Sequence, residues 1–248
     1  MTRSFTTDDF TRLEAASRAF LSPLASADVD AWRTEVVRVV RPLLGADHAM
    51  FSLSNQPRVF VGEGLDTSFY ARFVEFVDVQ TGAFRTDDPV SDIWFDRHRA
   101  AGHGVYTVDQ IEHDLRPHGL SLRASPFVHE IYAPSGRYGI RGFTAAVGAA
   151  EAALEVTYAR PGAGPPDSMA RPLLGALLPS FRAGLDALVR LDAYRHALDT
   201  VAEPLVALDP DGRELHRNRA LVRLLADDPE VPTIEAALFR LGADLRRL

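Results

Sequence analysis

The 248-residue chain contains no cysteine and no lysine: each of its 27 basic residues is an arginine. Without cysteine there is no disulfide, no thiolate metal site, no thiol nucleophile and no cofactor tethered through sulfur. Without lysine there is no Schiff base, which excludes pyridoxal-phosphate enzymes and retinal-type chromophores, and no P-loop lysine. Long apolar runs are also missing. No stretch of about eighteen apolar residues occurs, and "MTRSFTTDDFTRLEAA" lacks the apolar core of a signal peptide, so a cytoplasmic protein with no membrane partner is expected. The net charge of −7, with arginines scattered among acids, argues against nucleic-acid binding by the body of the chain. Its one basic cluster, "HRNRALVR" (216–223), reads as a solvated helix face. What is present suits a full core: 46% of residues are hydrophobic and 25% charged, with room for one good-sized domain plus an appendage, or for two small ones.

Apolar spacing predicts helices over 8–21, with Phe10, Leu13, Ala16 and Phe20 on one face, and over 28–44, capped by Asp28 and striped by Trp32, Val36, Val37, Val40, Leu43 and Leu44. The runs 48–54 and 57–65 read as a hairpin, and 67–80 as a helix with Phe69, Phe73, Phe76 and Val77 inward. Residues 84–135 are the least regular part, with a strand expected at 103–108 and a helix at 124–133. Strict alternation in 138–148 and 152–160 predicts an antiparallel pair with Phe143, Ala145, Val147, Leu154, Val156 and Tyr158 on one face. After the breaker "PGAGPPD" (161–167) a long helix begins at 168. Leu174, Leu178, Phe181, Leu185 and Leu188 recur at alternating four- and three-residue steps, the seam of a coiled coil or of a helix laid on a core, and Pro179 should kink or restart it. The class is α+β: an antiparallel sheet with helices on one face.

The stretch "EPLVALDPDGRELHRNRALVRLL" (203–225) reads as a strand, an Asp-Gly turn, a second strand and a helix opening at Asn218, which resembles the front of a PAS-type module. The layout of 1–190, above all the hairpin "GFTAAVGAAEAALEVTYARPG" followed by a Leu-rich helix, resembles a GAF-type sensory domain. The join 191–229 is similar to the segment between the GAF-like region and the helix-turn-helix of LuxR-type transcriptional regulators. The resemblance implies a GAF-like domain over 1–167, a connecting and dimerisation helix over 168–202 built on the Leu174–Leu188 stripe, and a partial PAS-like relay over 203–248. No helix-turn-helix is visible, so DNA would be reached only through a domain absent from these residues.

A GAF-like pocket would lie between the sheet and 90–135, and its expected lining is Phe51, Trp94, Phe95, His98, His103, Tyr106, Phe127, His129, Tyr132 and Phe143, a mix of flat apolar surface and few polar groups suited to an unidentified planar small molecule. Trp94 and Phe95 read equally well as ordinary core. The cofactor is left unknown; a single axial histidine to haem, from His98, His113 or His129, stays open, while His113, His118 and Asp114 read as a polar loop rather than a metal site. His129, Glu130, Ser135, Tyr132 and Tyr138 include the residue types of a hydrolase, but no nucleophile, base and acid can be set within reach of one another. The expectation is therefore a non-enzymatic, homodimeric, ligand-sensing regulatory region. A dimerising scaffold without ligand is the alternative, and a hydrolytic enzyme the lesser one.

Overall fold

The computed structural model describes residues 6–23, 26, 28–53, 60–63, 67–76, 87–148, 150–209, 212, 214–227 and 230–245. The fold is α+β. The chain divides into two units, Met1–Leu188 and Val189–Leu248.

In the first unit, helix α1 (Thr7–Leu21) starts at a capping box. The Thr6 side chain accepts from the Asp9 backbone N–H and the Asp9 carboxylate accepts from that of Thr6, which satisfies two donors a helix start leaves open. Helix α2 (Val29–Leu43) is capped by Asp28 and buries Trp32, Val36, Val37, Val40 and Leu43. Strands β1 (His48–Leu53), β2 (Phe60–Glu63), β3 (Val105–Thr107), β4 (Tyr138–Val147) and β5 (Ala150–Tyr158) form one antiparallel sheet in the order β2-β1-β5-β4-β3. Gly148, at φ 58°, closes the β4–β5 hairpin in a conformation that disfavours other residues.

The first sheet face, carrying Phe51, Phe143, Leu154 and Val156, packs on α1, α2 and the long helix α6 (Asp167–Asp199). Phe20, Trp32, Phe51, Phe143 and Phe181 meet there, with ring centroids 4.9 to 6.5 Å apart. The second face is covered as well, so helices lie on both faces rather than one. Helix α3 (Thr67–Phe76), α4 (Pro89–Ala100), α5 (Val108–Leu115) and a π-helical turn at Val128–Tyr132 place Phe69, Phe76, Val90, Ile111, Leu115, Ile131 and Tyr132 over Met50, Tyr106 and Ile140. The irregular region thus holds α4 and α5, and the helix expected at 124–133 is a continuous helical run over 126–135 whose middle is the π-turn and whose end, Ala133–Ser135, is 3-10. Val77 of the expected 67–80 helix lies outside the described residues.

Helix α6 runs through Pro179 without a break. Of the two readings of the α6 stripe, its packing fits a helix laid on a core: Leu174, Phe181 and Leu185 are buried in the unit's own core, and Leu178 and Leu188 pack against it. By length and composition α6 is also apolar enough to cross a membrane, with 33% of its most apolar window buried.

In the second unit, β6 (Val206–Leu208) and β7 (Glu214–Arg217) form a two-stranded antiparallel sheet, followed by α7 (Arg219–Asp227) and α8 (Val231–Leu245). Asn218 is fully buried between β7 and α7. Its Nδ2 donates to the carbonyls of Leu198, Val201 and Glu203 at 3.3, 3.2 and 2.8 Å, and its Oδ1 accepts from Leu205 and Leu221 N–H at 2.9 and 3.0 Å. One amide therefore ends α6, starts β6 and caps α7.

Candidate functional site

The second sheet face buries Thr144, Thr157 and, at its centre, the Glu155 carboxylate among apolar residues. Period-two alternation sends Leu154 and Val156 to one face and Glu155 to the other. Glu155, Gly142 and Tyr106 stand in one cross-strand row, and the glycine makes the row work. A Cβ on Gly142 would stand 2.8 Å from the Tyr106 hydroxyl, so only a bare backbone lets the Tyr106 ring cross β4 toward β5. The Tyr106 hydroxyl donates to Glu155 Oε2 at 3.3 Å, and the Tyr132 hydroxyl, delivered by the π-turn, donates to Oε1 at 2.6 Å. Among the described residues no ion pair joins Glu155. Burial pushes the Glu155 carboxyl up to about 7, opposed by the bonds from Tyr132 and Tyr106 and by the charge of Arg137. Burial and then Glu155 push both phenols well above their ordinary value.

Four expected site residues come together on the cleft-facing side of this cluster. Trp94 and His98 share a face of α4, one turn apart. The Tyr106 ring lies 5.0 Å from Trp94 and 5.6 Å from His98, and His98 lies 6.3 Å from His103. The start of α4 is fixed by buried Asp88, which accepts from Val90 and Ser91 N–H and from the Ser91 and Ser125 hydroxyls, the last two at 2.7 and 2.5 Å. His103 holds φ 64° between Gly102 and Gly104, both also at positive φ, a conformation that costs a non-glycine residue energy. Its Nδ1 lies 3.2 Å from the Thr144 hydroxyl and 3.5 Å from Glu151. Burial and the neighbouring His103 lower the His98 pKa, against a hydrogen bond to the Gly104 backbone; its Nε2 is buried without a hydrogen-bond partner.

His98 and His103 line a cleft of about 920 Å³ whose other walls are β3, α5 and the first turns of α6, including Gln110, Asp167, Arg171 and Gly175. Asp167 accepts from Arg141 Nε at 2.7 Å and from Asp109 N–H at 3.0 Å. Burial raises its pKa, but the Thr107 hydroxyl, the Asp109 N–H and Arg141 outweigh that and leave it lowered. Arg171 donates to Gln110 Oε1 at 3.0 Å, so polar groups of α5 and α6 meet across the floor.

The other expected residues separate. Phe127 and Tyr132 pack together in the second core, with centroids 4.9 Å apart. Phe51 and Phe143 lie on the opposite face, in the first core, and cannot share a pocket with Trp94; the alternation that buries them fixes this. His129 is exposed on the π-turn, and the Phe95 side chain lies outside the described residues. The space expected between sheet and excursion is filled by the protein's own side chains. Among the described residues no hydrogen bond links Ser135 to His129 or Glu130, and the Ser135 hydroxyl is buried without a partner. No group of three metal-ligating side chains occurs among the described residues. Sequence reasoning missed Glu155, Gly142 and Asp88; the one usable signal was a glutamate inside an otherwise apolar strand. No protein-family model matches the chain, and no curated protein is similar to it.

Proposed function

We propose that the chain is a signal-sensing region of a cytoplasmic, homodimeric transcriptional regulator of the LuxR type, with a GAF-like first unit. A small molecule enters the cleft beside His98 and His103, and its occupancy is passed along α6 to an output that acts on DNA. The observation that carries this reading is that α6 itself forms a wall of the cleft, through Asp167, Ser168, Arg171, Pro172 and Gly175. A ligand there touches the long helix directly, and a differential affinity of about 1–3 kcal/mol between two helix settings is enough for typical coupling. A polar ligand suits the cleft better than a flat apolar one, because two histidines, aspartates, arginines and a glutamine line it.

Gly175 supplies the test. A Cβ there meets no atom within 4 Å, so Gly175→Phe adds a ring at the cleft wall. A panel of small polar metabolites is screened by thermal shift against wild type and variant. The expected result is a compound that raises the melting temperature of wild type only and slows amide exchange in 167–188. The filled second core favours a competing reading as a dimerising scaffold; equal shifts in both proteins, or none at all, support that reading and sink the sensor.

A further inference from the structure

We propose that Glu155, Tyr106 and Tyr132 form a proton-responsive switch, in which the charge of one buried carboxyl sets how firmly the segments over the second face are held against the sheet. The inference is independent of the cleft ligand. The geometry has three parts. Glu155 sits on β5, an interior strand of the sheet, within an apolar cluster. Its two hydrogen bonds come from segments distant in the chain, Tyr106 of β3 and Tyr132 of the π-turn. Among the described residues no cation is hydrogen-bonded to it.

The groups facing Glu155 can be named element by element. Tyr106 comes from β3 and Tyr132 from the π-turn; Arg137, just before β4, acts only through its charge. Glu151, on Glu155's own strand, acts on Tyr106. Met50 of β1 and Gly142 of β4 are its uncharged strand neighbours.

An ionised Glu155 accepts from both phenols but carries a charge in a dry core. A protonated Glu155 has an O–H to donate and needs an acceptor. The 2.6 Å bond from Tyr132 persists, and the 3.3 Å bond with Tyr106 is the one that reverses. The Tyr106 ring rests on Trp94 and His98, so the reversal is felt at the cleft wall. Ionisation strengthens the phenol bonds but leaves a charge without water, and burial is the larger effect; deprotonation therefore favours lifting of the covering π-turn and α4, and proton uptake holds them down. Burial, which places the carboxyl's titration at about 7, puts the change in a range cells visit.

The test uses the full chain labelled with carboxyl-¹³C glutamate. Isotope-edited infrared difference spectra should show a protonated-carboxyl C=O band that vanishes between pH 6 and 8, and that Glu155→Gln lacks. Over the same range, amide protection across 125–135, corrected for intrinsic exchange, should fall about threefold or more as pH rises, and Glu155→Gln should abolish that fall. The idea is overturned if no band that Glu155→Gln removes titrates between pH 6 and 8, or by a protection change that survives Glu155→Gln. It is equally overturned if His98→Gln alone removes that change. If Glu155→Gln does not fold, wild type decides: coincident midpoints for band and protection support the switch, and midpoints more than about one pH unit apart overturn it.

Discussion

A half-buried and a buried carboxyl of the first unit, Asp167 and Glu155, bend its stability in opposite directions with pH. Asp167, held below its ordinary value by Thr107, Asp109 N–H and Arg141 against the opposing effect of burial, stabilises the fold once pH exceeds the unfolded value near 4; that contribution is lost as pH falls through the folded value. Glu155 moves from the ordinary 4.5 to about 7. Its folded form keeps a proton that the unfolded chain has already released, so stability falls as pH rises from 4.5 to 7 and stays reduced above. A difference of that size corresponds to roughly 3 kcal/mol. Urea unfolding of the chain should accordingly be most resistant near pH 5. Asp167→Asn should flatten the acid limb of the profile and Glu155→Gln the neutral limb. A wild-type profile that climbs steadily from pH 5 to 8 would contradict the assignment of Glu155.

At the scale of elements, α6 is pressed onto α1 at Gly184. A methyl group there would collide with the Phe20 carbonyl and come within 3.1 Å of Trp32 Cζ2. Backbone cannot yield as a side chain tip does, so Gly184→Ala should destabilise the first unit by about 1–3 kcal/mol or more, despite the roughly 1 kcal/mol that alanine gains over glycine in a helix. Thermal unfolding would show it as a lowered midpoint, and the open neighbour Gly175→Ala should move the midpoint upward. The elements themselves were largely legible. The β4–β5 alternation and the stripes of α1, α2 and α6 are written in apolar periodicity, and those faces are buried, apart from Phe10, which is exposed at the start of α1. Helices α4 and α5 were not read from the sequence, although Val108, Ile111 and Leu115 stand at helical spacing; α4 owes its start to Asp88, whose serine partner Ser125 is 37 residues away. Trp94, His98, His103 and Tyr106 could be gathered from sequence because they are close along the chain. Glu155 could not: alternation marks it only as facing away from Leu154, and a polar residue on that face reads as solvated until the covering excursion is known.

At the scale of the whole molecule, the division at Leu188 and Val189 falls inside α6, so one continuous helix serves two units with unequal means of support. The first has two hydrophobic cores. The second has a two-stranded sheet, itself marginal in water, and exposes Tyr194, Leu215, Val222 and Leu224; its buried polar centre is Asn218. Stability of about 0.05–0.15 kcal/mol per residue gives a unit of this length only several kcal/mol. Asn218→Ala strips a partner from three carbonyls and two N–H groups at once. Water replaces it at the exposed Glu203 and Leu205, while a group left buried and unsatisfied costs about 1–3 kcal/mol. A loss of that order is a large share of what the unit has. In Asn218→Ala, amide protection over 200–225 should collapse while protection in β4 and β5 is retained, and the conservative Asn218→Asp, which keeps the acceptor but loses the donors, should fall between. Equal loss of protection in β4 and β5 would mean that the second unit is needed to hold the first together, and that the division within α6 is not an energetic one.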